Sequence, residues 1–211
     1  MPLEVFETGS KRAWALWRIT ETEAELTELL NYKEEIPAGI SNQQKRLEWV
    51  AGRLLTQTLL ENFDLAYNGL TKDEFGKPFA TDLDVHLSLS HSYPFVAVVV
   101  DRRYIVGIDL EQPKEKLLRV APRILSEEEL GNAGDNLIKH CIYWCSKETL
   151  IKIYGKKDLT LSRDLLIEPF EVSIEGNIVG RIIVNEVETV IPLYYKVFSQ
   201  FVVVFNREEI A

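Results

Sequence analysis

Three carboxylates and two lysines mark where this sequence could do chemistry. In Val106-Gly107-Ile108-Asp109-Leu110-Glu111, an extended backbone would put alternate residues on one face. Val106, Ile108 and Leu110 would then face a core, and Gly107, Asp109 and Glu111 would share the other side. Two like charges on one face repel unless a cation or solvent compensates them. Gly107 leaves room beside them for a ligand. The competing reading is a solvated edge strand with two surface acids. The apolar strand Pro94–Val100 just upstream favours a ligand crevice at the end of a buried strand.

The second group is Trp144-Cys145-Ser146-Lys147-Glu148-Thr149-Leu150-Ile151-Lys152. At helical spacing Trp144, Glu148 and Lys152 lie along one edge, beside an apolar stripe of Ile138, Cys141, Ile142, Cys145, Thr149 and Ile153. Glu148 at the border of a buried face needs a partner. Either it makes a plain i,i+4 ion pair with Lys152, or it joins Asp109 and Glu111 in an oxygen-only site. Such a donor set suits magnesium, which takes a few carboxylates together with water and substrate phosphate, and not zinc, which wants His or Cys. Lys147 and Lys152 would suit the negative charge of a diphosphate. A third group, Ser88-Leu89-Ser90-His91-Ser92, could donate to a phosphate from a strand end, or could simply close a turn. Phosphate loops, dinucleotide fingerprints, HExxH and GxSxG elbows are absent from the sequence.

These groups need elements to hold them. The periodicity predicts a strand over Arg12–Ile19, a helix over Glu21–Asn31 capped by Thr20, and a longer helix over Asn42–Phe63 capped by Ser41. Its apolar stripe runs through Leu47, Val50, Leu54, Leu55, Thr58 and Leu59. A turn-rich stretch, Asn68–Pro78, is followed by strands over Val85–Ser90 and Pro94–Val100, the latter apolar enough to be buried on both faces. A strand over Tyr104–Glu111, a helix to Ile124, a short helix opened by a Ser126/Glu129 capping box and a long helix over Asp135–Tyr154 come next. Strands near Leu165–Ile174, Ile178–Val187 and Leu193–Phe205, the last with a break around Ser199, close the chain. Strand, helices, strands therefore occurs twice. The expectation is an α+β fold of two pseudo-symmetric lobes, 1–102 and 103–211, each a small, mostly antiparallel sheet packed with a long helix.

The chain has 211 residues with a net charge of -9, so it lacks the overall basic footprint of a nucleic-acid binder. Its positive charge is instead local, in Lys45, Arg46, Arg53, Lys147, Lys152, Lys156 and Lys157. No apolar run approaches the roughly 20 residues of a membrane helix, and no signal peptide is read at the start. A cytoplasmic protein without membrane or nucleic-acid partners is the expectation. Cys141 and Cys145, four apart on a helix, read as buried structural cysteines.

In this order and spacing the motifs resemble the 4'-phosphopantetheinyl transferase superfamily, and within it the two-lobed, surfactin-synthetase-activating branch. The residues that carry the resemblance are Gly76-Lys77-Pro78, Ser90-His91-Ser92, Gly107-Ile108-Asp109-Leu110-Glu111 and Trp144-Cys145-Ser146-Lys147-Glu148 through Lys152, within residues 46–160. The resemblance implies transfer of 4'-phosphopantetheine from coenzyme A to a serine of an apo acyl or peptidyl carrier protein, with release of 3',5'-adenosine bisphosphate. It implies Mg2+ held by Asp109, Glu111 and Glu148, with Lys152 by the diphosphate, where it steadies the departing bisphosphate. Glu148, or else Glu129, would deprotonate the serine. Arg46, or its neighbour Lys45, would grip the nucleotide together with Lys77, Ser90 and His91. A monomer is implied. A non-catalytic module that binds coenzyme A or a carrier, and a magnesium-dependent diphosphate hydrolase, are the alternatives.

Overall fold

A computed structural model describes residues 3–156 and 158–207. The fold is α+β with antiparallel sheets, and the backbone contacts divide the chain into two units, Met1–Val106 and Gly107–Ala211.

The first unit is a four-stranded sheet in the order β1-β2-β6-β5, with β1 Leu3–Thr8, β2 Arg12–Arg18, β5 His86–Ser92 and β6 Phe95–Asp101. Every residue of β6 is buried, as its unbroken apolar run requires. Helix α2 (Gln43–Glu61) lies on this sheet through Leu47, Val50, Leu54, Leu55 and Leu59, while Thr58 is only half-buried. Gly52 is where helix and sheet close up: a Cβ there would stand 2.6 Å from a methyl of Leu89 on β5. The short helix α1 (Glu23–Glu28) begins two residues later than expected. Thr22, not Thr20, caps it, in a reciprocal box with Glu25. Likewise Asn42, not Ser41, caps α2 by accepting from the Lys45 N–H. The stretch read as turns holds a small hairpin, β3 (Leu70–Lys72) with β4 (Pro78–Ala80). Asp73 organises its tip, accepting from the backbone N–H groups of Phe75 and Lys77.

The second unit is a five-stranded sheet in the order β7-β11-β10-β9-β8: β7 Ile108–Glu111, β8 Leu165–Ile167, β9 Glu175–Val184, β10 Val187–Val197 and β11 Val202–Asn206. Strand β7 is shorter than expected because Asp101 accepts from the backbone of Arg103 and Tyr104, which turns the chain where a strand was predicted to begin. The last of the three expected tail strands is divided near Ser199 into β10 and β11, which makes four. Helix α3 (Lys116–Ile124) and α4 (Glu127–Ala133) lead into α5 (Leu137–Tyr154), and α6 (Leu161–Asp164) precedes β8. The Ser126/Glu129 box forms as predicted. Helix α5 stops at Gly155, whose φ of 81° is a left-handed conformation that glycine adopts without steric cost.

Helix α5 is apolar over most of its circumference and packs on β7 and β11. Side chains stitch the layers together: Cys141 Sγ donates to Glu111 O at 3.4 Å, and Thr149 Oγ1 donates to Val204 O at 3.1 Å. Both cysteines are buried and free. No helix among the described residues is long and apolar enough to cross a membrane.

Candidate active site

Of the second unit's predicted acids, strand β7 and helix α5 bring Asp109 and Glu148 within reach of each other's charge. Gly107 makes this possible, though not by leaving a ligand cavity. A Cβ there would stand 2.6 Å from the Thr149 carbonyl oxygen and 2.8 Å from Ile153, so the missing side chain lets α5 lie directly on the chain entering β7. Two residues on, Asp109 is buried beneath the helix edge of Trp144, Glu148 and Lys152, each half-buried.

Lys152 is the hub of this cluster. Its Nζ donates to Asp109 Oδ1 at 2.7 Å and to Ile108 O at 2.8 Å. Burial raises the proton affinity of Glu148, the negative charge of Asp109 raises it further, and Lys152 only partly opposes them. Asp109 and Glu148 therefore sense each other across an incompletely neutralised gap. Glu111 turns to the exposed Lys116 instead, at 2.7 Å.

The three acids do not form a finished cage: among the described residues no group of three His, Cys, Asp or Glu stands ready to hold a metal ion. The chemistry of the donor set nevertheless fits a hard cation. The available groups are carboxylates, and the Cys141 and Cys145 thiols face backbone oxygens. The Asp109–Glu148 repulsion is what a cation relieves. Freeing Glu111 breaks an ion pair whose lysine is 51% exposed, a loss of about 1 kcal/mol or less.

Two predicted site residues are committed elsewhere. Lys147 is fully buried, and its Nζ donates to Leu161 O at 2.8 Å, Leu165 O at 2.6 Å and Glu129 Oε2 at 2.7 Å. All three N–H bonds are used, leaving none for a diphosphate. Glu129, 2% exposed, also accepts from the backbone of Ser126 and Ile167. With Lys147 occupying it as well, it is poorly placed to take a proton from an incoming serine. Together the pair ties α4 and α5 to the segment leading into β8.

In the first unit, a cavity of about 470 Å³ opens between the start of α2, the β3–β4 hairpin and β5. Lys45, Glu48, Trp49, Arg53, Lys72 and His91 line it, with Gly76, Pro78 and Leu89. Of the predicted nucleotide-binding residues, His91 is in the wall. Ser90 is buried and, one residue along the strand, points to the opposite face. Lys77 sits between two lining residues, and burial lowers its proton affinity while Asp73 opposes this. Arg46 is turned away into a two-point pair with Glu23, at 2.7 and 2.6 Å; its neighbour Lys45 takes the place in the wall. Lys156 is exposed beyond α5, and Lys157 lies outside the described residues.

The sequence reading missed Glu48, Trp49 and the role of Arg53. The Arg53 guanidinium lies 3.3 Å over the Trp49 ring and is held by Glu34 at 3.1 Å. Their spacing, four apart on one helix, was visible. Their facing β5 was not.

A sequence model described as "4'-phosphopantetheinyl transferase superfamily" matches residues 105–203, the stretch that holds the acids and α5. The chain is 29% identical over 149 residues to "4'-phosphopantetheinyl transferase Sfp" of Bacillus subtilis (strain 168), covering 68% of this chain and 62% of that protein. It is 32% identical over 92 residues to "Putative 4'-phosphopantetheinyl transferase" of Haemophilus influenzae, covering 40% of this chain and 39% of the relative. The chain thus spans less than two thirds of the length of either relative. Two of the four motifs that carry the resemblance, Gly107–Glu111 and Trp144–Lys152, fall inside the stretch matched by the 4'-phosphopantetheinyl transferase superfamily model, and the chain is similar to these two relatives.

Proposed function

We propose that the chain transfers the 4'-phosphopantetheine group of coenzyme A to a serine of an apo acyl or peptidyl carrier protein. The observation that carries this reading is the cluster of Asp109, Lys152 and Glu148, set on the β7 and α5 motifs within the stretch matched to the family.

In the proposed reaction the serine Oγ attacks the phosphorus that bears pantetheine. The bond from that phosphorus to the bridging oxygen breaks, and 3',5'-adenosine bisphosphate leaves with the electron pair. Asp109, Glu111 and Glu148 would hold Mg2+, whose charge polarises the diphosphate when bound. Lys152, 26% exposed, exchanges Asp109 for a diphosphate oxygen and neutralises the leaving group. Glu148 accepts the serine proton. The first unit's cavity has the groups a nucleotide needs: His91, Lys45 and Lys77 for phosphates, and Arg53 over Trp49 as a flat surface for a base. Arg46 remains a reserve cation, released if its pair with Glu23 opens, and Ser90 supports β5 from behind His91. A cytoplasmic monomer suits these substrates.

The test is to incubate the protein with coenzyme A, Mg2+ and a panel of apo carrier proteins and to weigh the carriers. A gain equal to one phosphopantetheine group on at least one carrier is expected. No gain on any carrier, with coenzyme A still bound, would favour a binding module. Release of adenosine bisphosphate without an acceptor would favour a hydrolase.

A further inference from the structure

A carboxylate in the wall of a cavity proposed for phosphates is out of place, because it repels the ligand. Glu48 is such a group: it lines the cavity and is only 2% exposed. Its Oε2 accepts from Lys45 Nζ at 2.7 Å and lies 3.2 Å from His91 Nδ1. Its Oε1 accepts from the Tyr93 backbone N–H at 3.0 Å. Both side-chain partners are far more exposed than the acid, at 59% and 38%.

We propose that Glu48 is a positioning residue for the anionic end of the ligand, acting through Lys45 and His91. This rests on the reading of the cavity given above. One buried oxygen shared by two donors holds those donors side by side. Lys45 spends one N–H on Glu48 and has two more to offer. His91 spends its Nδ1 proton on Glu48, which fixes the ring and directs Nε2 away from the carboxylate. The Tyr93 N–H anchors the acid to the turn that follows β5, so that α2 and β5 are held in register where the two donors meet. The same device recurs across the cavity, where Glu34, which is not in the wall, holds Arg53. Burial alone would raise the proton affinity of Glu48, but the hydrogen bonds from His91 and Lys45 outweigh it and keep the carboxyl at about 2. The holder is therefore charged throughout the range in which the protein works.

The measurement is steady-state transfer to one carrier, with coenzyme A and dephospho-coenzyme A as alternative donors, for wild type, Glu48→Gln and Glu48→Asp. Calorimetry with adenosine 3',5'-bisphosphate accompanies it. Loss of an ordered charge-assisted contact pair predicts a rise of about tenfold in KM for coenzyme A in Glu48→Gln. The fall in kcat should be about threefold or less, and the rise in KM for dephospho-coenzyme A smaller. Glu48→Asp should recover part of the loss. An unchanged KM for coenzyme A, or a fall in kcat alone, overturns the proposal. If Glu48→Gln does not fold, Lys45→Met at the exposed end of the pair decides instead. It should raise KM for coenzyme A and weaken the bisphosphate, and a wild-type KM there overturns the proposal. Wild type that binds neither coenzyme A nor the bisphosphate overturns the reading of the cavity itself. Wild type that binds them as tightly as Glu48→Gln does overturns only the role of Glu48.

Discussion

Replacing Lys147 with methionine separates a structural lysine from a substrate-binding one. Methionine keeps most of the stem and removes the ammonium. It would leave the Glu129 side chain at 2% exposure without its cation and strip a donor from the carbonyl oxygens of Leu161 and Leu165. Removing one partner of a buried ion pair costs about 3–5 kcal/mol, because the other charge is left uncompensated. For a chain of 211 residues each kcal/mol corresponds to about 2–4 °C, so a fall in Tm of roughly 6–20 °C is expected. Urea unfolding followed by circular dichroism reads the same loss in the midpoint. Adding Glu129→Gln removes the stranded charge, and the double variant should lose less than the two single losses together, with a coupling of about 0.5–3 kcal/mol. A Lys147→Met protein within about 1 kcal/mol of wild type, but with a strongly raised KM for coenzyme A, would refute the reasoning and return this lysine to the substrate.

Three further outcomes follow from the geometry. Gly107→Ala puts a methyl 2.6 Å from the Thr149 carbonyl oxygen, where backbone cannot yield cheaply. It should destabilise by about 1–3 kcal/mol and lower transfer by separating Asp109 from Glu148, measured as Tm and rate on one preparation. Asp109→Ala should abolish transfer while far-ultraviolet circular dichroism stays native, because Lys152 is exposed enough to turn to solvent; an active variant would remove Asp109 from the mechanism. Glu48 is held at about 2, below its ordinary 4.5, so its contribution is present above pH 4.5 and is lost as pH falls toward 2. At 1.36 kcal/mol per unit this is about 3 kcal/mol at most, and about 2 after allowing for the solvent around Lys45. The stability gap between wild type and Glu48→Gln in urea should therefore shrink between pH 5 and pH 2.5, and a constant gap would contradict the assignment.

Much of the fold was legible because the signals were local. The apolar run of β6, the stripe of α2, the Ser126 capping box and the buried cysteines all follow from short-range pattern. Helix starts were misplaced where two capping residues competed. Thr22 with Glu25 three residues on is a capping-box sequence, whereas Thr20 lacks that partner. Strand β1 was missed because four of its six residues are exposed, which leaves only a weak alternation to read.

In the candidate site the alternation of Gly107, Asp109 and Glu111 and the edge of Trp144, Glu148 and Lys152 were both readable, and they meet. Lys147 was misread because a lysine in a helix suggests solvent. The better clue was that α5 is apolar on nearly every side, so any charge off that one edge must find oxygen inside the protein. Glu48 had no sequence signal, since its partners Lys45 and His91 come together only when α2 lies on β5.

The ammonium of Lys152 beside Asp109, and that of Lys116 beside Glu111, carry a consequence for how the polypeptide matures. Asp109 and Glu111 are each born next to a cation of their own, so the only repulsion left among the three acids is that between Asp109 and Glu148. On the proposed reading, such a protein would complete its architecture in an ion-poor setting and take up a divalent ion only afterwards. Chelation should then silence it reversibly without denaturing it.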